Sequence, residues 1–327
     1  MRNLSTTYMG LDLPNPIMVS SCSLSRDIDG VGKIADAGAG GLVLKSLFEE
    51  QMDLETREIE QHIGPSWHTE AADYVRNMGM HLGPQEYLKL IADAKNAITI
   101  PVIASLNCVS VSWWTDYARK LEVAGADAIE LNIAYLPSQT SVNGRQVETV
   151  YGEIVRKVID QVKIPVAVKI GSSFSSLAAF AQDLVRTGVR GLTLFNRFYQ
   201  VDIDIDKIEL KPGYTFSAPE EMSLPLRWIA LLSGQLDCDF SATTGVHDGA
   251  GAVKLLLAGA QTVQLCSVLY QNDLGKIGQI LHDIDVWMDQ HGFDSVEAFR
   301  GKLNAEHLDK PELWERLQYI KALVGIE

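Results

Sequence analysis

Cysteine is scarce in this sequence, with four residues among 327 and none of them in a Cys-x-x-Cys pair. Disulfide frameworks, zinc sites and iron–sulfur clusters built by one chain need cysteines at short, regular spacings. Such spacings are missing here, so the pattern predicts reduced, buried thiols and a protein of the cytosol. The cysteines are Cys22, Cys108, Cys238 and Cys266.

A surplus of positive charge is also missing, because 28 lysine and arginine residues stand against 42 acidic ones, giving a formal net charge of −14. Binding to phosphate groups needs a basic face, so nucleic acids and anionic membranes are unsuitable partners. The N-terminus lacks the apolar core of a signal peptide, and no apolar run reaches membrane-spanning length. We therefore expect a cytoplasmic protein with a small-molecule substrate, for which a homodimer is possible.

Two well-known site motifs are absent. No Gly-x-Gly-x-x-Gly follows the first predicted strand, which argues against a dinucleotide-binding fold. No His-Glu-x-x-His or similar spacing occurs, so no metal site is expected. His62 and His68 lie in a predicted loop, where surface residues are the simpler interpretation.

What the sequence does contain is a large hydrophobic fraction, 46%, arranged in eight alternating strand and helix patterns. This alternation predicts one (β/α)8 barrel, a single domain over residues 1–327, with an N-terminal hairpin turning near Gly10 and extra C-terminal helices. An open doubly wound sheet is the alternative. The predicted helices include Pro84–Ala97, Thr149–Val162 and Gly249–Ala258. The predicted strands are Ile17–Ser21, Gly41–Ser46, Pro101–Leu106, a strand from Asp127 to about Asn132, Val166–Ile170, Gly191–Asn196, Phe240–Thr244 and Thr262–Ser267.

Polar side chains occupy or flank the ends of several predicted strands, and in a parallel barrel these ends face the reaction space. Asparagine can match the amide edge of a flat heterocycle, and lysine supplies a point charge for a carboxylate or an electron-rich ring. Asparagine also ends strands for purely structural reasons, whereas a lysine that terminates an apolar strand is harder to explain in that way. The candidates are Lys45, Asn77, Asn132, Lys169 and Asn196.

The last two units carry a pattern typical of phosphate sites. Loops after strands seven and eight of such barrels often bind phosphate through backbone N–H groups and a helix N-terminus. Here Thr244, Gly245 and Val246 follow strand seven, and Cys266 and Ser267 end strand eight. One glycine is a weak motif, but its location strengthens the interpretation.

Three further segments stand out. The polar stretch Leu47–Leu82 is long enough to suggest a lid over the site. Trp113 and Trp114 lie on a predicted helix and are interpreted as packing residues. The acidic run Asp202–Asp206 predicts a solvated loop or edge.

Taken in order, these residues resemble the dihydroorotate dehydrogenase family, in particular its soluble class 1 branch, over nearly the whole chain. The resemblance implies FMN at the C-terminal face of the barrel and hydride transfer between flavin N5 and a planar dihydropyrimidine-type substrate, as in pyrimidine biosynthesis. It is carried by Asn15-Pro-Ile-Met18, Leu44-Lys-Ser46, Asn77-Met-Gly79, Glu130-Leu-Asn132, Val168-Lys169, Asn196, Thr244-Gly-Val246 and Phe299-Arg-Gly301.

The resemblance also implies roles for individual residues. Lys169 would lie at the N1/O2 edge of the flavin and stabilise its reduced anion, because that edge needs positive charge. The substrate would be surrounded by Lys45, Asn77, Asn132 and Asn196. The implied cofactor-binding residues are Ser21, Lys45, Ser46, Asn132, Lys169, Thr244, Gly245, Val246, Cys266 and Ser267.

The sequence departs from the family in the loop after strand four. The family has Asn-Leu-Ser-Cys-Pro-Asn there, with the cysteine (serine in the membrane branch) as catalytic base, whereas this loop reads Asn132-Ile-Ala-Tyr-Leu-Pro137. Tyr135 therefore takes the position of the base, and a phenol is a better acid than base at neutral pH. Tyr135 and Lys169 are the candidate catalytic residues. The alternatives are that Tyr135 packs against Trp113 or Trp114, or that Ser138 or Cys108 is the base.

Other functions remain open for this barrel. A flavin ene-reductase acting on another activated alkene would use the same fold and a tyrosine acid. A barrel lyase would use Lys169 as a Schiff-base amine. A flavin-binding protein without catalytic activity is the third possibility.

Overall fold

Eight parallel strands close into a barrel in the computed structural model, which describes residues 2–50, 84–108, 114–197, 200–213, 215–315 and 317–324. The barrel strands are β3 (Ile17–Val19), β4 (Gly41–Val43), β6 (Val102–Cys108), β7 (Ala128–Ile133), β8 (Val166–Ile170), β9 (Gly191–Leu194), β12 (Asp239–Thr243) and β13 (Thr262–Leu265). Around the barrel their order is β4, β3, β13, β12, β9, β8, β7 and β6, and pairing of β4 with β6 closes it. The predicted (β/α)8 barrel is confirmed, and the open doubly wound alternative is wrong.

An antiparallel hairpin packs against the N-terminal half of the barrel interior. Strands β1 (Thr6–Tyr8) and β2 (Leu11–Leu13) pair around Gly10, whose positive φ of 79° suits a tight turn. Its buried side chains join a separate apolar cluster with residues near the N-terminal ends of five strands. This cluster contains Tyr8, Met9, Leu13, Met18, Val43, Ile103, Ala128 and Ala167. The predicted hairpin is confirmed, and its buried side chains fill this part of the barrel interior.

Helices form the outer layer and bury their apolar faces against the strands. Two predicted helices have the bounds that the sequence suggested, Pro84–Ala97 and Gly249–Ala258. A third begins earlier than predicted, at Gly144 instead of Thr149, because Asn143 and Gln146 form a capping box. The other helices in the described part of the chain are Ile28–Asp36, Trp114–Val123, Leu177–Arg186, Ser223–Leu232, Ser267–Gln271, Gly275–His291 and Leu317–Val324.

The acidic run after β9 forms an exposed hairpin. Strands β10 (Gln200–Asp204) and β11 (Glu209–Gly213) pair with each other in a two-stranded sheet, and apolar side chains such as Ile203 and Leu210 remain exposed on it. The short strand β5 (Leu47–Phe48) extends the sheet beside the C-terminal half of β6. Among the described helices, none combines the length and the apolar composition that crossing a bilayer requires.

Candidate active site

A cavity of about 420 Å³ opens at the C-terminal ends of the barrel strands. Its volume falls in the range of roughly 300–1,000 Å³ that is typical of small-molecule and cofactor sites. Of the predicted site residues in the described part of the chain, all but Tyr135 meet there. Those that line it are Ser21, Lys45, Ser46, Asn132, Lys169, Asn196, Thr244, Gly245, Val246, Cys266 and Ser267.

Lys169 enters the cavity from the interior of the barrel. It lies on β8, is only 7% exposed, and its Nζ donates a hydrogen bond of 3.0 Å to Ser20 Oγ on the strand end after β3. Strands β8 and β3 are separated by three other strands, so this bond crosses the barrel. The Glu130 carboxylate lies 4.0 Å from the same ammonium. The lysine is thus held in a fixed position with its charge directed at the cavity.

Two of the predicted substrate asparagines, Asn132 and Asn196, contact each other. Asn196 Nδ2 donates to Asn132 Oδ1 at 2.7 Å, and the Asn196 backbone N–H is held by Ile170 O. The pairing of β7 with β8 aligns Asn132 with Lys169, so amide and ammonium occupy neighbouring positions at one rim. Together they present fixed donors and acceptors that match a planar, amide-bearing molecule.

The opposite rim is built by hydroxyl groups and a second lysine. Ser46 Oγ lies 2.9 Å from Ser21 Oγ and 2.8 Å from Ser105 Oγ, which links the segments after β3 and β4 to the middle of β6. Lys45 is partly buried beside them. Burial, and then the charge of Arg26, lowers the pKa of its amine. The cavity therefore has a cation on each side.

The predicted phosphate corner has an unusual backbone. Thr244 and Gly245 both have positive φ values, 80° and 77°, and a side chain at Gly245 would come within 2.4 Å of the Met222 nitrogen. Ser217 bridges this turn to the end of β13, because its N–H donates to Ser267 Oγ and its hydroxyl accepts from the Gly245 N–H. These bonds hold the loops after β12 and β13 together at the edge of the cavity.

Two thiols meet at the same corner. A hydrogen bond between Cys22 and Cys266, together with burial, raises the pKa of the Cys22 thiol well above its ordinary value. Both cysteines line the cavity. A thiol with a raised pKa is a poor nucleophile and base, so the structure favours a packing role for Cys22.

Tyr135 lies apart from this cavity. It lines a second one of about 470 Å³ beside the ends of β7 and β8, together with Tyr151 and Phe174. Tyr151 donates to Ile133 O, and burial raises the pKa of its phenol to about 12. The catalytic role of Tyr135 remains a prediction, and in this conformation the ring borders the neighbouring space.

Several predicted features lie outside the described residues. They are Asn77, the lid segment beyond Glu50, His62, His68 and Trp113, and the side chains of Cys108 and Trp114.

Sequence reasoning missed some of the residues that line the cavity, namely Ser20, Asn107, Arg197, Ser217 and Gln264. Ser20 and Asn107 stand at strand ends and could have been found by the same rule that found Asn132. Arg197 follows Asn196 directly and forms a two-pronged ion pair with Glu221. Ser217 and Gln264 carried no recognisable signal.

The charge of the lining is distinctive in a chain of net charge −14. Lysine and arginine side chains are present, but aspartate, glutamate and histidine are absent from the described residues that line the cavity. No group of three or more potential metal ligands occurs in the described part of the chain. The site can therefore bind an electron-rich planar group and an anion, but those residues supply no strong base.

Known proteins are similar to this chain over most of its length. The family model described as dihydroorotate dehydrogenase matches residues 3–288. A relative from Thermoplasma volcanium, named dihydroorotate dehydrogenase B (NAD(+)), catalytic subunit, is 24% identical over 308 residues, covering 92% of this chain and 98% of the relative. A putative dihydroorotate dehydrogenase A (fumarate) from Aeropyrum pernix is 26% identical over 306 residues, covering 91% and 96%. The chloroplastic dihydropyrimidine dehydrogenase (NADP(+)) of Arabidopsis thaliana is 20% identical over 331 residues, covering 91% and 76%.

Proposed function

Because the chain belongs to the dihydroorotate dehydrogenase family and is an oxidoreductase acting on CH–CH bonds, we propose that it binds FMN and acts on a planar dihydropyrimidine-type substrate. The observation that carries this proposal is the buried Lys169 ammonium at the mouth of the barrel. A positive charge at that place suits a flavin, whose reduced form carries negative charge at N1.

The residues present fit such a cofactor. The cavity volume of about 420 Å³ suits one cofactor of this size. Gln264 lines the cavity, and its buried Oε1 has no hydrogen-bond partner within the described ranges. A flavin offers N–H donors and carbonyl acceptors along its pyrimidine edge, so an orphaned amide oxygen beside a lysine suits it. Bound FMN supplies a hydride acceptor or donor at N5.

Different residues of the protein would then bind the ring system, the phosphate and the substrate. Lys169, Asn132 and the hydroxyls of Ser21 and Ser46 would hold the ring system. The turn at Thr244, Gly245 and Val246, with Cys266 and Ser267, would hold the phosphate through backbone N–H groups. Lys45, Asn132 and Asn196 would orient the substrate, with Asn77 as a further candidate outside the described residues.

Proton transfer is where this chain departs from its family. Tyr135 is proposed as the acid that protonates a substrate carbon. In the present structure it borders the second cavity, so this role requires the loop after β7 to turn toward the substrate. The absence of carboxylates and imidazoles from the described cavity lining favours a second candidate function, reduction of an activated alkene, in which an acid and no base is needed. A Schiff-base lyase is disfavoured, because an ammonium held by Ser20 and Glu130 has no free lone pair for attack on a carbonyl.

Titration of the purified protein with FMN tests the proposal. We expect noncovalent, stoichiometric uptake that changes the visible spectrum of the flavin, and anaerobic bleaching of that spectrum by a suitable dihydropyrimidine. Riboflavin is the matched ligand without a phosphate, and it should bind much more weakly if the loops after β12 and β13 hold the phosphate. A protein that takes up neither flavin contradicts the proposal.

The paired asparagines give a second prediction. Replacing Asn132 or Asn196 by alanine should lower kcat/KM by roughly 5- to 150-fold, because each leaves polar groups unpaired at about 1–3 kcal/mol. The double variant should lose less than the product of the two effects, since the amides bond to each other at 2.7 Å. Asn96→Ala, on the exposed end of a helix, is the control and should keep full activity. Unchanged steady-state kinetics in both single variants would make these residues purely structural.

A further inference from the structure

A buried acid lies directly beneath the candidate cavity. Glu130 belongs to β7 and is 1% exposed. Its Oε2 accepts hydrogen bonds of 2.8 Å from Thr193 Oγ1 on β9 and from Gln264 Nε2 on β13. Strands β7 and β13 are not neighbours, so this carboxylate stands across the interior of the barrel and ties distant strands together.

The second oxygen of this carboxylate is directed at Lys169. Glu130 Oε1 is buried, has no hydrogen-bond partner in the described part of the chain, and lies 4.0 Å from Lys169 Nζ. On its other side the ammonium donates to Ser20 Oγ. Lysine and glutamate therefore form an electrically neutral pair in which the cation is the member that reaches the cavity.

The negative charge of Glu130 acts over a distance within the barrel. Burial raises the pKa of the Tyr8 phenol far above its ordinary value, and the Glu130 charge is the next largest cause. A neutral amide oxygen at this position could accept the same hydrogen bonds from Thr193 and Gln264, so those bonds alone give no reason for an acid here. A buried ion pair commonly contributes no more stability than apolar residues of similar volume. The carboxylate is therefore better explained by its effect on the lysine.

We infer that Glu130 is a positioning residue that fixes Lys169 and, by offsetting its charge, lowers the reduction potential of the bound flavin. This inference rests on the proposed function, since it needs a flavin beside Lys169. An unpaired ammonium would favour the reduced, anionic flavin, whereas an ammonium backed by a carboxylate favours it less. Glu130 thereby sets how readily the flavin gives up its hydride.

The test is the midpoint potential of the FMN-loaded protein, measured by anaerobic titration against reference dyes at pH 6. Glu130→Gln keeps the shape of the side chain and removes its charge. We expect the equilibrium to shift about tenfold toward reduced flavin, which is about 30 mV for a two-electron couple. Glu153→Gln makes the same charge change on an exposed helix position and should leave the potential unchanged. Thr193→Val removes one hydrogen bond to Glu130 but neither charge, and should shift the equilibrium between oxidised and reduced flavin by less than threefold.

A Lys169→Met background shows whether the acid acts through the lysine. There, Glu130→Gln should shift the potential clearly less than it does in the wild type. If Glu130→Gln does not fold, Glu130→Asp takes its place, because it withdraws the carboxylate from Lys169 and should shift the potential in the same direction by a smaller amount. Equal potentials in wild type and variant, or an undiminished shift without Lys169, overturn the inference and leave the proposed function standing. Failure of the wild type to take up flavin overturns the proposed function instead.

Discussion

Lys169→Met should slow the reduction of bound flavin by substrate by roughly 10²- to 10³-fold. That is the loss typically seen when one fixed electrostatic group is removed from the place where charge develops. The ammonium is 7% exposed and held by Ser20, so water cannot readily replace it. Methionine preserves most of the side-chain volume and removes the charge together with the hydrogen bond to Ser20. Single-turnover reduction, followed by the bleaching of flavin absorbance, measures the effect separately from product release.

The control for this variant must separate chemistry from folding. Lys169→Met leaves the Glu130 carboxylate buried without its cation, and breaking such a pair costs about 3–5 kcal/mol. The double variant Lys169→Met/Glu130→Gln removes both charges, so it should recover most of the stability in urea unfolding without recovering the rate. Lys33→Met, at an exposed helix position, should be active and stable. Reduction at the wild-type rate by Lys169→Met would remove this lysine from the mechanism.

The parts of the fold that could be predicted from the sequence were set by local patterns. Helix Pro84–Ala97 starts at a proline, which suits a first helical position, and Gly249–Ala258 follows the capping residue Asp248 and ends before Gly259. A strand that is buried on both faces appears in the sequence as a short apolar run. Eight such runs that alternate with helices are compatible with only a few architectures. The error at Gly144–Ile159 came from overlooking the Asn143–Gln146 capping box, which is visible in the sequence.

The hairpin after β9 was harder to anticipate. Apolar and polar residues alternate over Val201, Asp202 and Ile203 as they do in a strand. The apolar residues of this hairpin are nevertheless exposed, so the alternation did not indicate a face that packs against the core. A pattern predicts a strand reliably only where one of its faces is buried.

The candidate site was predictable only as a set of strand ends. The rule that C-terminal strand ends face the reaction space predicted that Lys45, Asn132, Lys169 and Asn196 lie close together. All four line one cavity. The partners of these residues were not predictable, because Ser20, Glu130 and Lys169 come from strands far apart in sequence. The direction of the Tyr135 ring depends on the bend of one loop, which no periodicity encodes.

The second large effect concerns the direction of the reaction. The wild-type protein should oxidise dihydroorotate at least 10²-fold more slowly at neutral pH than its reduced flavin reduces an activated alkene of similar shape. Oxidation needs a base beside the hydride-donating carbon, and a positioned base contributes about 10²- to 10⁴-fold. Within the described lining of the cavity there is no aspartate, glutamate or histidine. The resemblance to the family places Tyr135 where the family has its cysteine, which stays a prediction.

Two substitutions at one position make this prediction decisive. Tyr135→Cys restores the family's base and should raise dihydroorotate oxidation about tenfold or more, provided that the loop after β7 places residue 135 near the substrate. Tyr135→Phe removes only the hydroxyl; it should slow alkene reduction if the phenol is the acid, and it keeps the contacts of the ring with the second cavity. Single-turnover rates in both directions, measured on FMN-loaded protein, separate these effects. Fast oxidation of dihydroorotate by the wild type would refute the directional claim. Unchanged rates in Tyr135→Phe would mean that another group donates the proton and that the Tyr135 ring acts only in packing.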